Sequence, residues 1–209
     1  MLPGLEQLLV QCAPQVAPDT MMAIIRVESG GNPHAINVNG SQRLARQPTS
    51  RQEAIGWASW LIAREYSVDM GLAQVNSGNL QRLGVGAAQM FEPCDNIKAG
   101  ARILSENYAG ASKRYGTGQN ALRAAISAYN TGNYQGGFAN GYVAKVDASA
   151  AAASNGIAPP LIANRHQAAS DAGRRKQDAE QRVFVYGHGG EYQGLPRAQG
   201  EPLVTQVRR

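Results

Sequence analysis

Through residues 1–148 the apolar side chains recur at three- and four-residue intervals, and each run is cut short by Gly, Asn or Pro. That spacing places apolar groups on one stripe of an α-helix, and the interruptions allow only short helices that must pack on one another to bury their stripes. Pro18 and Asp19 open one such segment, with Asp19 expected as its N-cap, and Met21, Ile24, Ile25 and Glu28 follow at helical spacing until Gly30 and Gly31 end it. Residues 52–65 predict a second helix despite Gly56, and 77–83 a short third stopped by Gly84. Pro93, Cys94 and Asp95 open a fourth, in which Ile97, Ala101, Leu104 and Tyr108 share a face. Residues 119–130 form a fifth, with Leu122, Ala125, Ile126 and Tyr129 on one stripe, and a sixth spans about 141–148. Strand-like alternation is nearly absent, so the expected class is mainly α.

After Asp147 the composition changes. An alanine-rich run leads into Asn155-Gly156, Pro159-Pro160, charged and Gln-rich stretches and a Gly-rich patch, with too few apolar residues for a second core. The expected organisation is one folded domain over 1–148 and a low-complexity, disordered tail over 149–209. The tail's one apolar cluster, Val183-Phe184-Val185-Tyr186, could add a strand to a partner's sheet, although such clusters are more often merely sticky.

Composition excludes more than it selects. Of the 209 residues 43% are hydrophobic, a globular fraction, yet no run approaches the roughly 20 apolar residues of a membrane-spanning helix, so no integral membrane protein is expected. The net charge of +5 carries no dense Lys/Arg stripe and no zinc-finger spacing, which argues against nucleic-acid binding. Cys12 and Cys94 lack metal-ligand spacing, and only three histidines exist to help them hold a metal. On the residues alone the two cysteines fit one disulfide or two buried thiols equally well. The first ten residues hold no Lys or Arg and an interrupted apolar run, so a signal peptide is not evident.

Glu28 is the residue that invites chemistry. It closes an apolar helix with Ile24 and Ile25 on its own face, and both poor solvation and the negative helix end raise a carboxyl pKa. A carboxyl protonated near neutral pH is what a general acid requires. An isolated Glu at a helix end would more simply be a surface charge, paired with Arg26 or Lys98. Its company decides otherwise: Ser29 follows it, then come Gly71-Leu72-Ala73-Gln74-Val75-Asn76, Ala128-Tyr129-Asn130-Thr131-Gly132 and, farther on, Tyr142.

This order of motifs resembles the lysozyme-like, soluble lytic transglycosylase superfamily, in which a Glu-Ser pair closes a helix, a Gly-Leu-Xaa-Gln loop lines the cleft and an Ala-Tyr-Asn motif faces the Glu. The resemblance covers about residues 8–147. The Gln11-Cys12-Ala13-Pro14 start, the segment from Ile36 to Gly40, the insertion before Gly71, Gln74-Val75-Asn76 and Pro93-Cys94 narrow it to the specialised lytic transglycosylase subunits of type IV secretion and conjugation systems. The resemblance implies a lysozyme-like fold, a Cys12–Cys94 disulfide and a periplasmic location. It further implies peptidoglycan as substrate, with secretion or conjugation channel components as partners of the tail. Glu28 would be the single catalytic residue, cleaving the bond between N-acetylmuramic acid and N-acetylglucosamine with closure of a 1,6-anhydro ring. Ser29 would hydrogen-bond near Glu28 and orient it. Gln74 and Asn76 would bind sugar hydroxyls or acetamido groups, and Tyr129 and Tyr142 would offer ring faces and hydroxyls to the substrate sugar or to Glu28. Asn130 would fix loop backbone, and no metal or cofactor would be needed. Two alternatives stand beside this reading: a channel scaffold with weak activity, and a hydrolase of goose-type lysozyme character using Asp69 as a second carboxylate. Trp57 and Trp60 fit a sugar platform less well than helix packing, and His34 reads as loop structure.

Overall fold

The computed structural model describes residues 2–155, with side chains through 152; the expected tail lies outside the described residues. Eight helices and one small sheet follow in the order α1 (Leu5–Cys12), α2 (Pro18–Ser29), β1 (Ile36–Val38), α3 (Arg51–Ile62), β2 (Val68–Met70), β3 (Val75–Asn76), α4 (Leu80–Leu83), α5 (Pro93–Tyr115), α6 (Gln119–Thr131), α7 (Gly136–Ala139) and α8 (Tyr142–Asn155). The class is mainly α, and the helices expected from periodicity are present. Among the described residues no helix is long and apolar enough to cross a membrane.

Helix α2 forms the centre. Pro18 occupies its first turn, where a missing N–H costs nothing, and the cap is Ala17 with no side-chain bond, so Asp19 sits inside the first turn rather than capping it. Met21, Ile24 and Ile25 are fully buried. Gly30 then adopts a left-handed φ of 62° and its N–H donates to the carbonyl of Arg26, which stops the helix at Ser29. Helix α5 buries Ile97, Ala101 and Leu104 on one stripe and packs along α6, while α8 packs across α2. The last helix runs on to Asn155, longer than the 141–148 segment expected, because its alanine-rich end is good helix former.

A disulfide joins Cys12 at the end of α1 to Cys94 at the start of α5, with Cα atoms 5.3 Å apart and a sequence separation of 82. Closing a loop of that length stabilises the fold by about 4.5 kcal/mol in the chain-entropy account.

The antiparallel sheet, in order β1-β2-β3, was not expected. Its register pairs Ile36 with Met70 and Met70 with Val75, all buried, and pairs Asn37 with Asp69 and Asp69 with Asn76. Directly paired residues share a face. One face therefore carries an apolar row into the core, and the other carries Asn37, Asp69 and Asn76 outward in a row.

Candidate active site

Glu28 lies in the last turn of α2 beside the point where α8 begins, and this junction fixes its one side-chain hydrogen-bond partner among the described residues. The Tyr142 hydroxyl, in the first turn of α8, donates to Oε1 of Glu28. Tyr142 itself is buried, and neither Arg26 nor Lys98 makes an ion pair with Glu28. Burial pushes the Glu28 carboxyl up from 4.5 to about 7; the Tyr142 hydrogen bond opposes this, and the nearby charge of Asp69 adds to it. The expected direction stands, with burial as its leading cause. The same junction holds the Tyr142 hydroxyl far above its ordinary range, through burial and then the charge of Glu28, so Tyr142 serves as a donor and not as a base.

The loop from Gly71 to Gln74 is tied down almost residue by residue. The Gly71 N–H donates to the carbonyl of Ala35 at 2.8 Å. Ser29 Oγ donates to the Leu72 carbonyl at 2.7 Å, and the Tyr129 hydroxyl donates to the Ala73 carbonyl at 2.6 Å. Asn96, only 1% exposed, accepts from the Ala73 N–H at 2.7 Å and donates to the carbonyls of Met70 and Met90 at 2.8 and 2.9 Å. Gln74, in a left-handed φ of 47°, donates from Nε2 to the carbonyls of Gly71 and Ala35. Only glycine fits position 71: φ is 74°, and a Cβ there would lie 2.2 Å from the Met90 carbonyl oxygen.

Beyond the loop lies the outward row of the sheet. Asp69 Oδ1 accepts from Asn76 Nδ2 at 2.6 Å, and Oδ2 accepts from Asn37 and Asn39 at 3.1 and 2.9 Å. A cleft of about 900 Å³ opens over these groups, lined by Glu28, Asp69, Gln74 and Tyr129 and by a series of carboxamides that includes Asn32, Asn37, Asn39, Asn76, Asn79, Asn107 and Asn130. A partly accessible carboxyl that keeps its proton near neutral pH can donate it to a bound oxygen and later take one back. Carboxamides, each both donor and acceptor, match hydroxyl and acetamido groups.

Comparison with known proteins agrees with this geometry. Residues 10–152 match the family described as Transglycosylase SLT domain. The chain belongs to the transglycosylase SLT family. Its enzyme class is therefore that of the peptidoglycan lytic transglycosylases. This SLT domain is similar to the type IV secretion system protein virB1 of Brucella suis biovar 1 (strain 1330), 48% identical over 167 residues that cover 77% of this chain and 70% of the relative. The namesake of Brucella abortus biovar 1 (strain 9-941) is 51% identical over 146 residues, covering 67% and 61%. Protein virB1 of Agrobacterium fabrum (strain C58 / ATCC 33970) is 40% identical over 153 residues, covering 73% and 60%. The matched stretch thus spans 60% to 70% of these relatives' own length. No solved structure matches.

The SLT domain brings Glu28, Ser29, Gln74, Asn76 and Tyr129 to one cleft, with Tyr142 behind Glu28. Several immediate partners differ from those expected. Ser29 bonds the Leu72 and Ile25 carbonyls and not Glu28, so it positions the end of α2 against the loop. Tyr129 and Gln74 likewise turn polar atoms onto loop backbone, and Asn76 is committed to Asp69 and Ser67. Asn130 accepts from the side chain of Asn140 rather than fixing backbone. Trp57 packs on the core under Arg46, while Trp60 is 53% exposed with Arg64 stacked 3.8 Å over it; neither lines the cleft. Sequence reasoning missed Asn96, Asn37 and Asn39. The last two lie two residues apart, the spacing that places them on one face of an extended strand.

Proposed function

We propose that this domain cleaves the β-1,4 bond between N-acetylmuramic acid and N-acetylglucosamine in peptidoglycan without consuming water, leaving 1,6-anhydro ends. The observation that carries the reading is the Glu28 carboxyl, held by burial at about 7 in an amide-lined cleft with the Tyr142 hydroxyl as its hydrogen-bond partner. Glu28 protonates the bridging oxygen as the bond to the muramic acid C1 breaks, and positive charge develops at C1. The leaving sugar departs with that proton. The Glu28 carboxylate then takes the proton of the muramic acid's own C6 hydroxyl, whose oxygen bonds to C1. One carboxyl thus serves both steps and ends as it began, and an intramolecular attacker has a high effective concentration. The Tyr142 hydroxyl stabilises the carboxylate between the two steps.

Asp69 favours a second reading, hydrolysis, because it lies in the same cleft. Its two oxygens accept from three asparagines, an arrangement that suits a fixed charge better than a base seeking a water proton. Mass spectrometry of digested peptidoglycan separates the readings. Anhydro ends, each lighter by one water than a reducing end, support the lyase; reducing ends overturn it in favour of hydrolysis. Glu28→Gln is the inactive control in both cases.

The similarity to virB1 proteins supports a biological setting in which this activity opens the wall locally for a type IV secretion or conjugation apparatus. The Cys12–Cys94 disulfide fits the oxidising periplasm. Residues 149–209 would engage channel components. Secretion that persists with Glu28→Gln but stops on deletion of 156–209 would make scaffolding the dominant role.

A further inference from the structure

Among the described residues lining the cleft, Arg82 is the one cation. It stands on the wall built by α4 and α5, beside Asn79, Ile103 and Asn107. Two observations separate it from an ordinary surface arginine. Its guanidinium is held in place, donating from Nη2 to Asn79 Oδ1 at 3.2 Å and from Nη1 to Glu106 Oε2. Its charge is also not cancelled. Glu106 Oε1 is already taken by Arg102 Nε at 2.9 Å, so two guanidinium groups share one carboxylate and a positive charge remains over. Arg102 does not line the cleft, and its Nη1 donates to the Leu83 carbonyl. The surplus is therefore presented through Arg82, whose remaining N–H groups form a planar fork suited to a carboxylate.

The rest of the cleft suits neutral sugar. Its lining is rich in carboxamides, its acid Glu28 is held partly protonated near neutral pH by burial, and Asp69 is surrounded by asparagine donors. A neutral polysaccharide gives a fixed arginine nothing of opposite charge to hold.

We propose that Arg82 is a specificity-determining residue that binds a carboxylate on the substituent of muramic acid, so that the cleft reads an anionic appendage as well as the sugar chain. The inference rests on the reading of this domain as a peptidoglycan-cleaving enzyme. Two sources supply that chemistry: the carboxylates of an attached peptide, and the lactyl carboxylate bared when the peptide is removed.

The test uses the full chain, as wild type, Arg82→Gln and Arg102→Gln. Initial rates are measured on peptide-bearing glycan strands and on strands stripped by an amidase, and the binding of neutral chitotetraose is measured separately. Arg82→Gln should raise KM roughly tenfold at low salt on strands carrying the recognised carboxylate, with kcat nearly unchanged, because an exposed charge pair of this kind aids binding more than chemistry. The difference should shrink as salt rises, and chitotetraose binding should not move. An effect confined to peptide-bearing strands assigns the peptide carboxylates; one greater on stripped strands assigns the lactyl group. The proposal is overturned if Arg82→Gln changes no KM or if it weakens chitotetraose equally. Arg102→Gln, which leaves Glu106 to neutralise Arg82 alone, should raise KM on the same strands by less, and an Arg102→Gln effect larger than that of Arg82→Gln also overturns it. A wild-type protein that cleaves neither strand refutes the parent reading itself, an outcome distinct from cleavage that ignores Arg82.

Discussion

Helix α5 and the loop from Gly71 to Gln74 pack against each other, yet they are held by different physics. The helix is specified locally: Pro93 starts it, a stripe through Ile97, Ala101 and Leu104 faces the core, and its own backbone satisfies its polar groups. The loop satisfies its backbone through side chains remote in sequence, namely Ser29, Asn96 and Tyr129. In the helix region a residue can change if its size and polarity suit. In the loop each position is specified by a partner, and the cleft inherits its geometry from those partners.

Paired substitutions can break or sharpen this contrast. Gly71→Ala should have the largest effect, a loss above about 3 kcal/mol in denaturant titration with activity lost in parallel, since left-handed backbone and a blocked Cβ position act together. Asn96→Ala comes next. It leaves the Ala73 N–H and the Met70 and Met90 carbonyls without their partner in a dry site, for a loss of about 3 kcal/mol. Urea unfolding would measure it, and a loss under about 1 kcal/mol would mean the loop is not held as described.

Glu28→Gln should instead stabilise the fold, and only at higher pH. Below 4.5 the side chain is protonated in both folded and unfolded chains, and the substitution is nearly neutral. Between 4.5 and about 7 the unfolded chain releases its proton while the folded one keeps it, so wild-type stability falls as pH rises. Above about 7 the penalty is complete, and at roughly 1.4 kcal/mol per pH unit it is no more than about 3.5 kcal/mol. Melting curves of both proteins at pH 4 and pH 8 would show the difference opening with pH. Gly56→Ala should have the smallest effect. Gly56 is an exposed residue in α3 with nothing within 4 Å of an added Cβ, so alanine should add about 0.5–1 kcal/mol of stability.

The same contrast explains what the sequence disclosed. Helical periodicity repeats over many residues, so α2, α5 and α6 were legible, as was Glu28 at the end of its stripe. The strands are two or three residues long. Alternation that short is not a pattern until Asn37, Asp69 and Asn76 are brought into register. Asn96 carries no local signal either: a polar residue one place before Ile97 reads as helix surface, and only the loop packed over it gives it three buried hydrogen bonds beneath the cleft. The motifs did disclose which residues gather at the site, but not their partners, which is why Ser29 and Tyr129 were expected on Glu28 or sugar and are found on loop backbone.

The central claim is that Glu28 holds a proton near neutral pH inside the cleft, and carboxyl carbon NMR of the unliganded protein tests it most directly. The account predicts a Glu28 midpoint of about 7, moving up in Tyr142→Phe, which removes the hydrogen bond favouring the carboxylate, and down in Asp69→Asn, which removes a neighbouring negative charge. A midpoint at the ordinary 4.5, unmoved by either substitution, would contradict it.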